Sequence, residues 1–211
     1  MASIVVIDYG MGNLRSVSKA LESLGASVRV SSDAADVNQA DKLILPGVGA
    51  FPAAMRELSA RGLVEPVKAA IAKGTPYLGI CLGLQLLLEQ SDEGEGAAGL
   101  GILQGRVRRF ATNGSGLKVP HMGWNQIQRQ ATSDKRQASC PLLTDIPDGS
   151  FAYFVHSYYA EPADSSVTAL ETDYGGRFAS MVWRKNLYAT QFHPEKSQAV
   201  GLKLLKNFID L

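Results

Sequence analysis

YLGICLGLQ, residues Tyr77 to Gln85, joins an apolar run to an amphipathic one and sets a thiol, Cys81, between Gly79 and Gly83. Thr75 to Ile80 reads as a buried strand, and Leu82 to Gln90 as a helix that begins directly behind the cysteine. A strand that turns straight into a helix forms a tight elbow. The turning residue is pushed into strained backbone, its side chain projects above the sheet edge, and glycines on either side relieve the crowding. Such a sulfur stands at a helix N-terminus, where free N–H groups and aligned peptide dipoles favour a thiolate. The next backbone N–H, from Leu82, points at a developing oxyanion. A lone buried cysteine is ordinarily inert packing, so the elbow becomes chemistry only beside a base.

The chain holds three histidines, His121, His156 and His193. His193 lies in YATQFHPEKS, residues 188 to 197, just past an apolar strand, with Glu195 two residues on. In extended backbone these two side chains share a face, and Pro194 keeps the residue before it extended. The reading is Cys81 as nucleophile, His193 as general base and acid, and Glu195 as its orienting partner. A second oxyanion donor is found in LPGVG, Leu45 to Gly49, at the end of the third strand. Gly47 and Gly49 let the peptide around Val48 and Gly49 turn an N–H toward developing charge at the carboxyl end of a parallel strand. Taken alone, that segment is an ordinary Pro-Gly turn.

These segments sit in an alternating pattern. Ser3 to Tyr9, Ala26 to Val30, Lys42 to Leu45 and Thr75 to Ile80 read as strands, separated by helices at Asn13 to Leu24, after Asp33, and from Pro52 to Lys73. Alternation of this kind implies parallel βαβ units. The second half carries short strand-like runs at Arg106 to Phe110, Phe151 to Val155, Val167 to Thr172, Phe178 to Trp183 and Leu187 to Gln191, expected to pair antiparallel at one sheet edge. Ala131 to Ser139 reads as a surface loop and Ala199 to Leu211 as a closing helix.

At 211 residues, with 45% hydrophobic and 19% charged side chains, the chain suits one domain, residues 1–211, with a substantial core. Twenty-one basic against 20 acidic groups, net +1, disfavour an extended nucleic-acid surface. Two separated cysteines fit neither a disulfide framework nor a zinc site, and no apolar run is long enough for a membrane span or secretory leader, which points to the cytoplasm. No metal and no cofactor is expected. Gly10-x-Gly12 opens a helix as dinucleotide loops do, but position 15 is Arg, so the glycine pattern fails.

With these residues in place, the chain resembles the class I, or triad-type, glutamine amidotransferases. The resemblance rests on Pro46-Gly47-Val48-Gly49, on Gly79-Ile80-Cys81-Leu82-Gly83 with Gln85, and on His193-Pro194-Glu195, in matching order over nearly the whole chain. A narrower resemblance, to the glutaminase subunits of imidazole glycerol phosphate synthase in histidine biosynthesis, rests on Tyr9 to Leu14 (YGMGNL), Pro120 to Asn125 (PHMGWN) and Tyr153 to Tyr158 (YFVHSY). It implies an α/β, flavodoxin-like fold with a mostly parallel central sheet flanked by helices and an antiparallel extension in the second half. It implies hydrolysis of glutamine through a glutamyl thioester, with the substrate held by Gly49, Gln85, Ser157 and Tyr158. It further implies a heterodimer whose other member is a (β/α)8-barrel cyclase, docked over Asn13, His121, Met122, Trp124, Tyr153 and Lys196. Asn13 would also cap its helix, and Val48 would withhold its N–H until the cyclase is loaded. Alternatives from the residues are a cysteine peptidase, a redox-sensing thiol protein, a catalytically silent regulatory subunit, or the glutaminase of another triad amidotransferase. Nothing in the chain supplies an ATP loop or an acceptor pocket, so the ammonia must go elsewhere.

Overall fold

The computed structural model describes residues 3–94, 96–111, 117–130 and 140–211, and the surface loop expected at 131–139 lies outside them. In chain order the first half runs β1 (Ser3–Ile7), α1 (Leu14–Ser23), β2 (Ser27–Ser31), α2 (Ala34–Gln39), β3 (Lys42–Gly47), α3 (Phe51–Ala60), α4 (Val64–Lys73) and β4 (Tyr77–Cys81). Local chemistry sets these boundaries. Val17 and Leu21 bury one stripe of α1, the Asp33 carboxylate accepts the Ala35 N–H to open α2, and Gly74, at φ 99°, closes α4 in the left-handed conformation that glycine adopts freely.

Then follow α5 (Leu82–Gln85), β5 (Leu88–Ser91), β6 (Ala97–Ala98), β7 (Leu103–Arg109), β8 (His121–Gln126), β9 (Gln128–Arg129), β10 (Phe151–His156), β11 (Tyr158–Pro162), β12 (Thr168–Asp173), β13 (Arg177–Arg184), β14 (Leu187–Thr190) and α6 (Gln198–Ile209). The main sheet has eight strands in the order β2-β1-β3-β4-β14-β13-β12-β9. Its first five members are mutually parallel and the last three pairings antiparallel. The direction of strand succession reverses between β1 and β3, the place in open α/β sheets where a crevice opens at the carboxyl ends.

Two expectations from the sequence differ. The helix behind Cys81 is one turn of four residues, not a run to Gln90. Leu84, Leu86, Leu87 and Leu88 are all fully buried, more apolar surface than one helical stripe can hide, and the chain instead leaves the helix as β5 to pair with β7. Nor do the later strands share one edge. β7 lies in a separate four-stranded sheet, β11-β7-β5-β6, and β10 pairs only with β8, while β14 is parallel to β4 on one side and antiparallel to β13 on the other.

Backbone contact fixes α5 against the sheet. A Cβ at Gly83 would lie 1.9 Å from the Leu45 carbonyl oxygen, and one at Gly79 would lie 2.6 Å from the Gly83 carbonyl. The two glycines around Cys81 are therefore the surfaces on which helix and strand touch.

The β8–β10 ribbon places His121 opposite His156. His156 Nδ1 lies 2.9 Å from the Tyr158 carbonyl, which can only accept, so this nitrogen carries the proton. His156 Nε2 then accepts from His121 Nδ1 at 3.0 Å, and His121 Nε2 accepts from the Asn125 amide at 3.2 Å. A second proton on either ring would set N–H against N–H. Burial pushes His121 down to about 4 and His156 down to about 3.

Two outcomes are expected. Gly83→Ala should lose roughly 3–5 kcal/mol of stability in urea unfolding, whereas Gly25→Ala, with open space around it at φ +84°, should lose about 1 kcal/mol; equal losses would contradict close packing at Gly83. The depressed folded pKa values of His121 and His156 mean that their neutral pairing supports the fold above about 6.5, the unfolded value. This support is lost as the pH falls through the folded values of about 4 and about 3. Imidazole 15N spectra should show both rings neutral at pH 5.5, and a charged ring there would refute the assignment.

Candidate active site

Cys81 ends β4 in a conformation, φ 54° and ψ −104°, that a non-glycine residue holds only under restraint. Strand pairing sets Gly47, the last residue of β3, beside it. Cys81 is buried, 6% exposed, and its sulfur receives an N–H from the Gln191 side chain, whose Nε2 lies 3.6 Å away. The expected contribution of a helix dipole is reduced, because a single turn aligns few peptides. The Gln191 amide supplies a contact at the sulfur that such a short helix does not.

His193 follows β14 with extended backbone, and its N–H donates to the Tyr153 carbonyl at 2.9 Å. Its Nδ1 lies 2.9 Å from Glu195 Oε1, and both side chains are buried, 2% and 0% exposed. Glu195 belongs to a 3-10 turn, Pro194–Lys196, and not to a continued strand, so a tight turn and not strand alternation brings it to His193. Nε2 of His193 is buried with no hydrogen-bond partner among the described residues; catalytic hydrogen bonds commonly form only once substrate arrives. Burial is the largest single influence on His193 and pulls its pKa down. The negative sulfur of Cys81 and then Glu195 together outweigh it and push His193 up to about 10.

Cys81 opens into a cavity of about 330 Å³ lined by Val48, Gly49, Leu82, Gln85, Ser157 and Tyr158, all named from the sequence. Val48 is 40% exposed and Gly49 sits at φ +106°, a conformation open to glycine and strained for other residues. Gln85 Nε2 donates to the Tyr158 carbonyl at 2.7 Å and to Gln191 Oε1 at 3.2 Å.

Two residues around the cavity were not singled out by sequence reasoning. Glu93 lines it, and its carboxylate also accepts the Phe51 N–H at 2.8 Å, holding the start of α3; only distant strand pairing brings it there. Gln191 did carry a signal, since it precedes His193 by two residues in an extended stretch, the same spacing used to choose Glu195.

The residues expected to face a partner divide. Met122 and Trp124 project from β8 at 65% and 46% exposed, Tyr153 packs its ring 6.1 Å from Trp124, and the Lys196 ammonium lies 5.8 Å from the Tyr153 ring centroid. His121, on the same strand, is turned inward at 3% exposed, so its ring is not part of that face and holds the strand from below. Asn13 sits at the start of α1, but its side chain makes no capping bond, and its carbonyl accepts the Val17 N–H. Cys140 is buried and its thiol is pushed up to about 12 by burial, which leaves it inert. Among the described residues no group of His, Cys, Asp or Glu side chains is placed to hold a metal ion, and no helix is long and apolar enough to cross a membrane.

Comparison with known proteins agrees with this geometry. A family model described as glutamine amidotransferase class-I matches residues 5–211. The imidazole glycerol phosphate synthase subunit HisH of Syntrophotalea carbinolica is 55% identical over 99% of this chain and 100% of its own length. The subunit of the same name from Geobacter sulfurreducens is 50% identical over 99% and 98%. Among solved structures, PurLQS from Thermotoga maritima superposes with a TM-score of 0.71 at 18% identity, covering 100% of this chain and 99% of that one. The glutaminase domain of CTPS from Trypanosoma brucei gives 0.65 at 14% identity, covering 100% and 92%; at these identities the likeness is one of fold. A family match along almost the whole chain, spanning Cys81, His193 and Glu195, means that this protein belongs to the class I glutamine amidotransferases.

Proposed function

We propose that the chain is the glutaminase subunit of an imidazole glycerol phosphate synthase, hydrolysing glutamine to glutamate and ammonia for histidine biosynthesis. The observation that carries this reading is the pairing of Cys81 with a buried His193–Glu195 couple at the mouth of a small cavity, in a chain 55% identical end to end to a subunit of that synthase. The cavity chemistry suits an amino acid. Glu93 and the Gln85 carbonyl oxygen both accept, as an α-ammonium group requires, and Ser157 and Tyr158 line the same cavity.

In the reaction the Cys81 sulfur adds to the side-chain amide carbon, and the carbonyl oxygen takes up negative charge beside the N–H groups of Leu82 and of the Val48–Gly49 segment. The His193 imidazolium gives its proton to the amide nitrogen as the C–N bond breaks, and ammonia leaves. Neutral His193 then takes a proton from water as the water oxygen adds to the thioester. The C–S bond breaks, glutamate departs, and the charged pair is restored. Glu195 holds the ring through Nδ1, so that Nε2 is the nitrogen that exchanges the proton.

The ammonia passes to a cyclase subunit docked on the apolar face of Met122, Trp124 and Tyr153, flanked by Asn13 and Lys196. Exposed aromatic and methionine side chains are what a stable interface core uses. The same face adjoins β10, whose Tyr153 carbonyl holds the His193 backbone, which supports activity conditional on docking.

Glutamate release by the chain alone should be slow, should rise strongly when a synthase cyclase with its nucleotide ligand is added, and should fall about 10⁴-fold or more in Cys81→Ala. No stimulation, with Cys81 still labelled by a glutamine-mimicking electrophile, would point to a different synthase. His193 should titrate near 10 in imidazole 15N spectra, and in Cys81→Ala its midpoint should drop, because burial remains while the negative sulfur is gone. The ion pair therefore supports the fold fully below about 6.5 and loses that support as the pH rises through about 10. An unchanged midpoint in Cys81→Ala would refute the coupling.

A further inference from the structure

We propose that Gln191 is a positioning residue for both halves of the reaction, donating one amide N–H to the Cys81 sulfur while its carbonyl oxygen fixes the orientation of Gln85. The inference rests on the glutaminase reading for its substrate half only; the contact with the sulfur stands independently of what the sulfur attacks.

Gln191 is fully buried, and its backbone is held by donation of its N–H to the Ser180 carbonyl at 2.8 Å. Its side chain has no access to water, so its polar atoms find partners within the protein or none. Nε2 lies 3.6 Å from Cys81 Sγ, and Oε1 lies 3.2 Å from Gln85 Nε2. The two contacts determine each other. Gln85 Nε2 has two hydrogens, one donated to the Tyr158 carbonyl at 2.7 Å and the other to Gln191. A flipped Gln191 amide would set N–H against N–H at Gln85 and oxygen against negative sulfur at Cys81. The amide thus has one permitted orientation.

The consequence reaches the cavity. With both Gln85 hydrogens committed, the only polar atom this side chain offers to a ligand is its carbonyl oxygen. It therefore selects a donor, an ammonium or an amide NH2, and repels a carboxylate. At the sulfur, a hydrogen bond to the charged form favours that form and limits the directions from which the remaining lone pairs can attack. The sulfur also lies 4.0 Å from the Val155 carbonyl oxygen, which can only accept, so Gln191 is placed to donate an N–H to it before substrate arrives.

The test uses Gln191→Met, which keeps length and volume without either polar contact. With iodoacetamide as a small neutral probe of Cys81, the alkylation rate should fall about tenfold once the sulfur loses the contact that positions it. In the chain assembled with its cyclase, KM for glutamine should rise about fivefold and kcat fall about tenfold, a split that simple loosening of the fold would not give. An alkylation rate equal to that of the parent protein would overturn the proposal. Should Gln191→Met fail to fold, the unsubstituted protein still decides. One side-chain amide proton of Gln191 should shift when Cys81 is alkylated, together with those of Gln85, and the absence of any shift would overturn the proposal. A positive alkylation result with no glutamine turnover would keep Gln191 in place and refute the glutaminase reading instead.

Discussion

The contact on which the rest depends is the one between Gly83 and the Leu45 carbonyl. Because position 83 lacks a Cβ, α5 can lie directly on the backbone of β3, and Gly79 offers the same freedom from the strand side. That closeness makes the chain reverse within one residue, and the strain of the reversal falls on Cys81. A larger residue at either glycine would push the helix outward and carry the sulfur away from Gly47, its register partner. The elbow is thus a packing constraint first, and a catalytic device because the constraint aims a thiol into the crevice at the carboxyl ends of the parallel strands.

Sequence reasoning reached the elbow, the triad and the parallel half of the sheet because each leaves a short-range signature: Gly79 and Gly83 around one cysteine, His193 next to Pro194 and Glu195, and apolar runs alternating with helical stripes. It failed where the deciding partner is distant in the chain. The length of α5 is set by the pairing of Leu88 with Leu103 in the second sheet, and a run rich in leucine reads equally as helix or strand. The division of the later strands among three sheets is likewise a matter of which edge each one meets. Glu93 enters the cavity from a turn with no motif around it. Gln191 was accessible by alternation, but a neutral amide before a histidine attracts no notice until the sulfur is beside it. At Glu195 strand alternation was expected to provide the contact with His193, whereas a 3-10 turn makes it.

The three histidines separate by environment. All are buried, and burial alone favours the neutral ring in every case. His193 is driven the other way because two anionic groups, the Cys81 sulfur and the Glu195 carboxylate, converge on it. His121 and His156 have only each other, a carbonyl and an amide, and neither of those neighbours rewards a positive charge enough to offset lost hydration. One chain thus holds one histidine whose charged form is favoured and two whose neutral forms are favoured.

The neutral pair has a use that follows from its polarity. Each ring donates through Nδ1 and accepts through Nε2, so the run from Asn125 through His121 and His156 ends as a donor on the Tyr158 carbonyl. The same oxygen accepts from Gln85. A carbonyl has two lone pairs, and here both are committed, one to each side of the cavity wall. A second proton would go to Nε2 of either ring and set N–H against the Asn125 amide or against His121 Nδ1–H, which breaks the run between its members while His156 Nδ1 keeps its donation to Tyr158. The depressed basicity of His121 and His156 therefore keeps the run from Asn125 to Tyr158 in one hydrogen-bonded arrangement above their folded values of about 4 and about 3.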